Sequence, residues 1–267
     1  MSQNEDLLLL LGQIAKSRSD IRLLNIYKGL PISYDTSINS VGEFEINVSG
    51  NRQQIACLYY QRETYLQGDK FPFLIRSQVI SLNLDKENAV LADFEVAKSD
   101  IGKREQIRVE PDEPPIAYIQ FVSSGYEISS SLADVSAEGG RIYLEAQLFP
   151  ARLFQPGNEI TIAISFPDNV SQKMKKISTK TQLETRGSKP IIHTNLPAWQ
   201  NGKVTITGRG KIVSVRPELH LNRYRVGMKL YFQDLARMVI LQYVSQRQAE
   251  IIRDLHILSD ELYSRKK

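Results

Sequence analysis

From Leu30 onward the chain is broken into short apolar runs that alternate with polar residues, and turn-forming residues separate the runs. Phe44, Ile46 and Val48 alternate with Glu43, Glu45 and Asn47. Ile80, Leu82 and Leu84 repeat the pattern, then Ala117, Ile119 and Phe121, then Ile160, Ile162 and Ile164. A period of two puts one set of side chains on one face of a strand. Ser49-Gly50-Asn51, Gln67-Gly68-Asp69, Asp85-Lys86-Glu87-Asn88, Ser123-Ser124-Gly125, Gly139-Gly140 and Pro156-Gly157-Asn158 read as the turns between them. The apolar and aromatic stretch Ile55–Tyr60 fits the same series of strands. Lys203–Thr207 and Lys211–Val215 read as two strands parted by Gly208-Arg209-Gly210, and Tyr224–Leu230 as the last strand. Many short strands at this spacing restrict the chain to small barrels or sandwiches.

The ends differ. The first 29 residues read as helical, with Asn4 or Ser2 as cap, a break at Ser17–Asp20 and a stop at Gly29 and Pro31. Leu7–Leu11 exceeds one helix face, so part of it should be covered by another element or another chain. From Gln233 onward Leu235, Val239, Tyr243, Ile251, Leu255 and Leu258 recur at helical spacing. This last helix is longer than one small barrel requires, which leaves room for a homodimer through the terminal helices.

A chain of 267 residues holds one large or two ordinary domains. The polar stretch after Ala97 divides it into a first domain at 1–97, a linker at 98–103 and a second domain at 104–267. A basic, weakly patterned insertion at 167–202 interrupts the second domain. The net charge of +4 gives only slight support for an anionic partner and lacks the clustering of a nucleic-acid binder. Cys57 is the only cysteine and reads as a buried small hydrophobe. With no disulfide, no signal segment and no apolar run near 20 residues, the expectation is a cytoplasmic protein without membrane insertion. His193, His220 and His256 lack metal-ligand spacing, so no metal is expected. No phosphate loop, nucleophile elbow or kinase motif occurs, so the chain reads as a non-enzyme with no catalytic residues. Asp112-Glu113 beside Pro114-Pro115 read as a linker or turn, not as a catalytic carboxylate pair.

Chemistry concentrates in two motifs. Arg104-Glu-Gln-Ile-Arg108 places two arginines four positions apart, and Asp134-Val-Ser136-Ala-Glu-Gly139, followed by Gly140, places an acid, a hydroxyl and a glycine pair downstream. The arginine fork suits phosphate oxygens and the O6/N7 edge of guanine, and Asp and Ser can take donors on the other guanine edge. Together they suit a ligand that carries both guanine and phosphate. Alone, the first motif is usually a solvated pair and the second a turn; their order between matching strands gives them weight.

With KREQIRV and ADVSAEGG the chain resembles the PilZ family, bacterial receptors for cyclic dimeric GMP (cyclic di-GMP, c-di-GMP). The Tyr224–Phe232 strand followed by a helix is similar to how PilZ barrels close. The resemblance covers roughly residues 100–255, and the two-domain layout is similar to flagellar-brake proteins. It implies a mainly β fold of two β-barrel domains, an N-terminal split-barrel-like one and a C-terminal six-stranded antiparallel PilZ barrel, with N- and C-terminal helices. The longer second domain departs from the usual PilZ length by the 167–202 insertion.

The resemblance also implies roles. Arg104 and Arg108 would bind guanine edges and phosphates, and Asp134 would accept from the guanine N1–H and amine. Ser136 would contact the ligand or hold the Asp, Gly139 and Gly140 would admit a close backbone approach, and Lys103 and Arg141 would be further phosphate contacts. Cyclic di-GMP is then a ligand and no cofactor is needed. Binding at the domain junction would rearrange the domains and control a protein partner in motility, pilus or exopolysaccharide machinery. The alternative is a PilZ-like protein-interaction scaffold that binds no nucleotide. A third reading, a single-strand nucleic-acid binder, wants aromatics interleaved with basic residues, and Tyr59, Tyr60 and Tyr65 offer little of that.

Overall fold

The structure, a computed structural model, describes residues 3–97, 106–167, 198–200 and 203–264. Linker 98–103 and nearly all of the 167–202 insertion lie outside the described residues. The chain forms two compact units, Met1–Glu105 with Ala249–Lys267, and Gln106–Gln248.

The first unit opens with α1 (Gln3–Ser17) and β1 (Ile21–Tyr27), followed by β2 (Leu30–Thr36), β3 (Ile38–Val41), β4 (Glu45–Ser49), α2 (Arg52–Gln61), β5 (Glu63–Gly68), β6 (Phe71–Asn83) and β7 (Asn88–Val96). Its strands make one antiparallel sheet in the order β2-β1-β5-β6-β7-β4-β3, curled into a half-barrel. Leu7, Leu11 and Ile14 of α1 and Ile55 and Leu58 of α2 join Leu23, Ile46, Val48, Leu66, Ile75, Leu91 and Phe94 in one core. Leu9 points away and is 58% exposed. The Asn4 side chain does not cap α1: its Oδ1 accepts the Phe94 N–H at 2.7 Å.

Two expectations fail here. Residues 21–27 are a strand, not a continuation of the first helix. Lys28 and Gly29 both have positive φ (47° and 80°), and Tyr27 pairs with Leu30 across them. That is the two-residue turn whose twist suits a hairpin, so Gly29 closes β1–β2 and stops no helix. Residues 55–60 are helical, not a strand. Asn51 caps α2 by accepting the Gln54 N–H at 2.9 Å, and Arg62 ends it in the left-handed region. The cap satisfies a backbone donor that has no partner inside the helix, which fixes the start of α2.

The second unit contains β8 (Ile116–Phe121), β9 (Glu127–Ser136), β10 (Gly139–Glu145), β11 (Glu159–Ser165), β12 (Ala198–Gln200), β13 (Lys203–Glu218), β14 (Arg223–Tyr231) and the first half of the C-terminal helix (Asp234–Ser264). The antiparallel order β11-β8-β9-β10-β14-β13, with β11 also paired to β13, closes a six-stranded barrel. Ile119, Phe121, Leu132, Ile142, Ile162, Ile212, Val226 and Met228 fill its buried interior. Phe166 packs against Tyr243 of the helix at 4.9 Å between ring centroids.

β13 is one continuous strand, where the sequence suggested two. Gly208 and Gly210 do not turn the chain; they let β14 come close. A Cβ on either would lie 2.8 Å from a β14 carbonyl, that of Tyr231 or of Lys229. Gly139 and Gly140 likewise begin β10, and the turn is Ala137-Glu138, flanked by the Ser136–Gly139 pair. The C-terminal helix was expected to belong wholly to the second domain, yet Ala249–Lys267 belongs with the first unit. Within that unit Asp254 pairs with Lys28 at 2.7 Å, His256 bonds Gln53 at 3.1 Å, and the Tyr263 ring lies under Arg52. No helix among the described residues is long and apolar enough to cross a membrane.

Candidate functional site

The site begins with the β9–β10 hairpin. Ile142 and Leu144 of the second strand are buried in the barrel, so Gly139 and Arg141 alternate to its outer face; a bulge after Leu132 in the first strand shifts the register and sets Asp134 and Ser136 opposite them on that same face. Asp134 pairs in register with Arg141. The incoming segment is laid alongside by a two-way backbone bridge. Val109 N–H donates to the Val135 carbonyl at 2.9 Å, and Val135 N–H donates to that of Val109 at 3.0 Å. This brings Arg108 over the hairpin.

The result is a charge cluster. Arg108 Nη1 donates to Asp134 Oδ1 at 3.2 Å, and Arg141 Nη2 lies 3.0 Å from Asp134 Oδ2. The Asp134 side chain is only 6% exposed, while those of Arg108 and Arg141 are 22% and 20% exposed. One carboxylate therefore faces two guanidiniums, and the cluster keeps one positive charge. Each arginine has five donors and spends a minority on Asp134, so the rest remain for a ligand. Asp134 was expected to meet guanine directly. Its two oxygens face the two arginines and aim them.

Ser136, 2% exposed, donates from Oγ to the Gly139 carbonyl at 3.2 Å and so braces the hairpin turn. Gly139 lies where a Cβ would meet the Met228 carbonyl at 2.7 Å and Arg108 Nη2 at 3.5 Å, so only glycine fits. Gly140 is the inner position and less tight, 3.1 Å from Leu132 Cδ2 by the same measure. Arg104 and Lys103 lie outside the described residues.

Sequence reasoning missed the far wall. In β14 Gly227 pairs with Arg141, and Lys229 pairs with Gly139 and also with Lys211 of β13. Val226, Met228 and Leu230 point inward, so Gly227 and Lys229 face outward beside the cluster. Gly139 and Gly227 both lie on this face, with Arg108 and Arg141 on one side and Lys229 on the other, and the Ser214 side chain covers Gly227, where a Cβ would lie 2.5 Å from its Oγ. Only the in-out alternation of Tyr224–Tyr231 hinted at it, because strand pairing with a distant segment is not written locally. The cleft along α1 and β3, about 880 Å³, and the hollow over β8, β9 and β11, about 400 Å³, take in none of these residues.

No family model matches the chain, and no curated protein matches it. Among solved structures the chain is similar to MrkH of K. pneumonia in complex with c-di-GMP, at 10% identity over 94% of this chain and 96% of that one, with a TM-score of 0.41. It is similar to YcgR of Escherichia coli in complex with c-di-GMP, at 11% identity over 97% and 96%, with a TM-score of 0.38. The PilZ domain of the same YcgR with c-di-GMP matches at 14% identity over 57% of this chain and 96% of that one, with a TM-score of 0.35. Likeness at this level carries nothing about the site. The functional reading rests on this chain's own residues.

Proposed function

We propose that this chain is a receptor for cyclic di-GMP that acts by binding and not by catalysis. The observation that carries the reading is the pair of guanidiniums, Arg108 and Arg141, aimed by one buried carboxylate beside Gly139 on the barrel wall. A guanine base is planar and offers O6 and N7 to an arginine fork, and a phosphodiester offers anionic oxygens to the same donors. Gly139 presents no side chain to a ligand held by the two forks. Arg104, four positions upstream in sequence, adds a third guanidinium.

The chain passes from one compact unit to the other between Glu105 and Gln106, so the arginine pair straddles that point in sequence. Closure of both arginines on a dinucleotide rearranges the two units. The altered surface then acts on a protein partner in motility, pilus or exopolysaccharide machinery.

Calorimetric titration with cyclic di-GMP, GMP and a short RNA tests the reading. The dinucleotide should bind in preference to both, and Arg108→Ala and Arg104→Ala should each weaken it by about 1.5–3 kcal/mol, the scale of a hydrogen bond to a charged group. Equal affinity in wild type and both variants refutes the assignment. Small-angle scattering with and without ligand tests the rearrangement; superimposable profiles refute that part alone.

A further inference from the structure

The Glu110–Pro115 segment lies just after Arg108, and its acidic pair has no part in the site described so far. Asp112 is reached by an arginine from the C-terminal helix. Arg247 is 3% exposed, unusual for this residue type, and it reaches two groups of this one segment. Its Nε donates to the Glu110 carbonyl at 2.9 Å, and its Nη2 donates to Asp112 Oδ1 at 2.6 Å. The Asp112 side chain is 62% exposed.

The two contacts differ in kind. The pair with Asp112 is partly solvated and could be rebuilt with another acid. The bond to the Glu110 carbonyl grips the main chain two residues after Arg108, whatever the side chain there. On the other side Val109 is bridged twice to Val135, and further along the Leu132 N–H donates to the Pro115 carbonyl at 2.9 Å. The segment from 109 to 115 is thus fastened to β9 at both ends and to the helix between them. A guanidinium is suited to this task because its planar fork can hold a carbonyl and a carboxylate at once.

We infer that Arg247 is a positioning residue for Arg108: it fixes the backbone from which that arginine reaches Asp134 and the ligand. Arg247 touches no ligand and acts through the 110–112 segment. The inference rests on the receptor reading of the site, and its test has one arm that does not.

The arm independent of ligand is amide hydrogen exchange on the full chain. In R247M, peptides covering 109–112 should exchange about tenfold faster, the scale of one lost charge-assisted hydrogen bond, while those of β13 and β14 keep their rates. The second arm is the affinity for cyclic di-GMP, which should fall about tenfold in R247M and less in R247K, where a charge remains without the fork. In the R108A background R247M should cost no further affinity, an outcome that a general loss of stability would not give. Because a buried arginine can be needed for folding, D112A on the exposed side supplies an independent variant with a smaller effect of the same sign. Unchanged exchange in R247M and D112A overturns the inference. So does faster exchange with undiminished affinity, or additive losses in the double variant. If the wild type binds no dinucleotide, the receptor reading fails, and the exchange arm alone decides whether Arg247 orders the segment.

Discussion

Asp134→Ala removes the carboxylate that two arginines share. In each ion pair the charge centres lie about 4 Å apart, which gives roughly 4 kcal/mol of attraction per pair at an effective dielectric constant near 20. Burying the three charges costs several kcal/mol per ion and offsets most of that sum. Losing Asp134 recovers its own desolvation cost but leaves Arg108 and Arg141 facing each other, each about one-fifth exposed. The expected net loss is about 2–3 kcal/mol of unfolding free energy, less than a fully buried broken pair would cost because the arginines can turn to water. Urea titration reads it as a lower midpoint with an unchanged slope, since the surface exposed on unfolding is the same. Asp134→Asn keeps the shape and one acceptor and should lose about half as much. In a background carrying Arg108→Ala and Arg141→Ala the cost of Asp134→Ala should vanish, because the residues act as one unit. A loss under about 0.5 kcal/mol, or an equal loss in that background, refutes the view that Asp134 holds the arginines.

Gly139→Ala would place a Cβ 2.7 Å from the Met228 carbonyl; the forced shift of β10 should cost about 1–3 kcal/mol by urea titration and weaken ligand binding in parallel. Asn51→Ala removes the cap of α2 and should cost about 1 kcal/mol by thermal unfolding, with faster exchange confined to the first turn of that helix. Burial raises the Cys57 thiol from its ordinary 9.0 to about 12. The folded chain therefore keeps this proton where the unfolded chain releases it. The thiol's contribution is intact below about pH 9 and is lost at about 1.4 kcal/mol per pH unit as the pH rises toward 12. Cys57→Ala should flatten that slope in urea midpoints measured from pH 8 to pH 11. Tyr27, Tyr34, Tyr65 and Tyr263, also raised mainly by burial, should leave a residual slope above pH 10.

Strands with one wet face were legible, and strands buried on both faces were not. Ile160, Ile162 and Ile164 alternate because β11 has the barrel core on one side only. In Ile21–Tyr27 three consecutive residues, Leu23 to Asn25, are buried, which erases the period. Ile55–Leu58 is a continuous buried run, and such a run fits helix or strand equally until the cap at Asn51 is weighed. Glycine was the other source of error. Gly208 and Gly210 carry the same letters as a turn, but their role is steric, toward a strand far away in sequence. The site divides along the same line. Asp134, Ser136, Gly139 and Arg141 sit in one hairpin and could be found together; Gly227, Lys229 and Arg247 reach it only through tertiary pairing, which no local spacing encodes.

The cluster also separates attraction from recognition. Asp134 lowers the local positive charge from two to one, so on charge alone its removal should strengthen binding of any anion. Its geometric effect is opposite: it holds two forks in fixed directions, and fixed donors lose less entropy when a ligand arrives. The balance depends on the anion. Sulfate is nearly spherical and gains from charge in almost any arrangement, whereas a guanine edge and a phosphodiester need donors at set angles. Asp134→Ala should therefore bind sulfate more tightly and cyclic di-GMP about tenfold or more weakly, so that the two affinities move in opposite directions. Calorimetry with both ligands on the same variant measures this directly. If both affinities rise, the site is an electrostatic patch and the aimed arginines have no bearing on which anion binds.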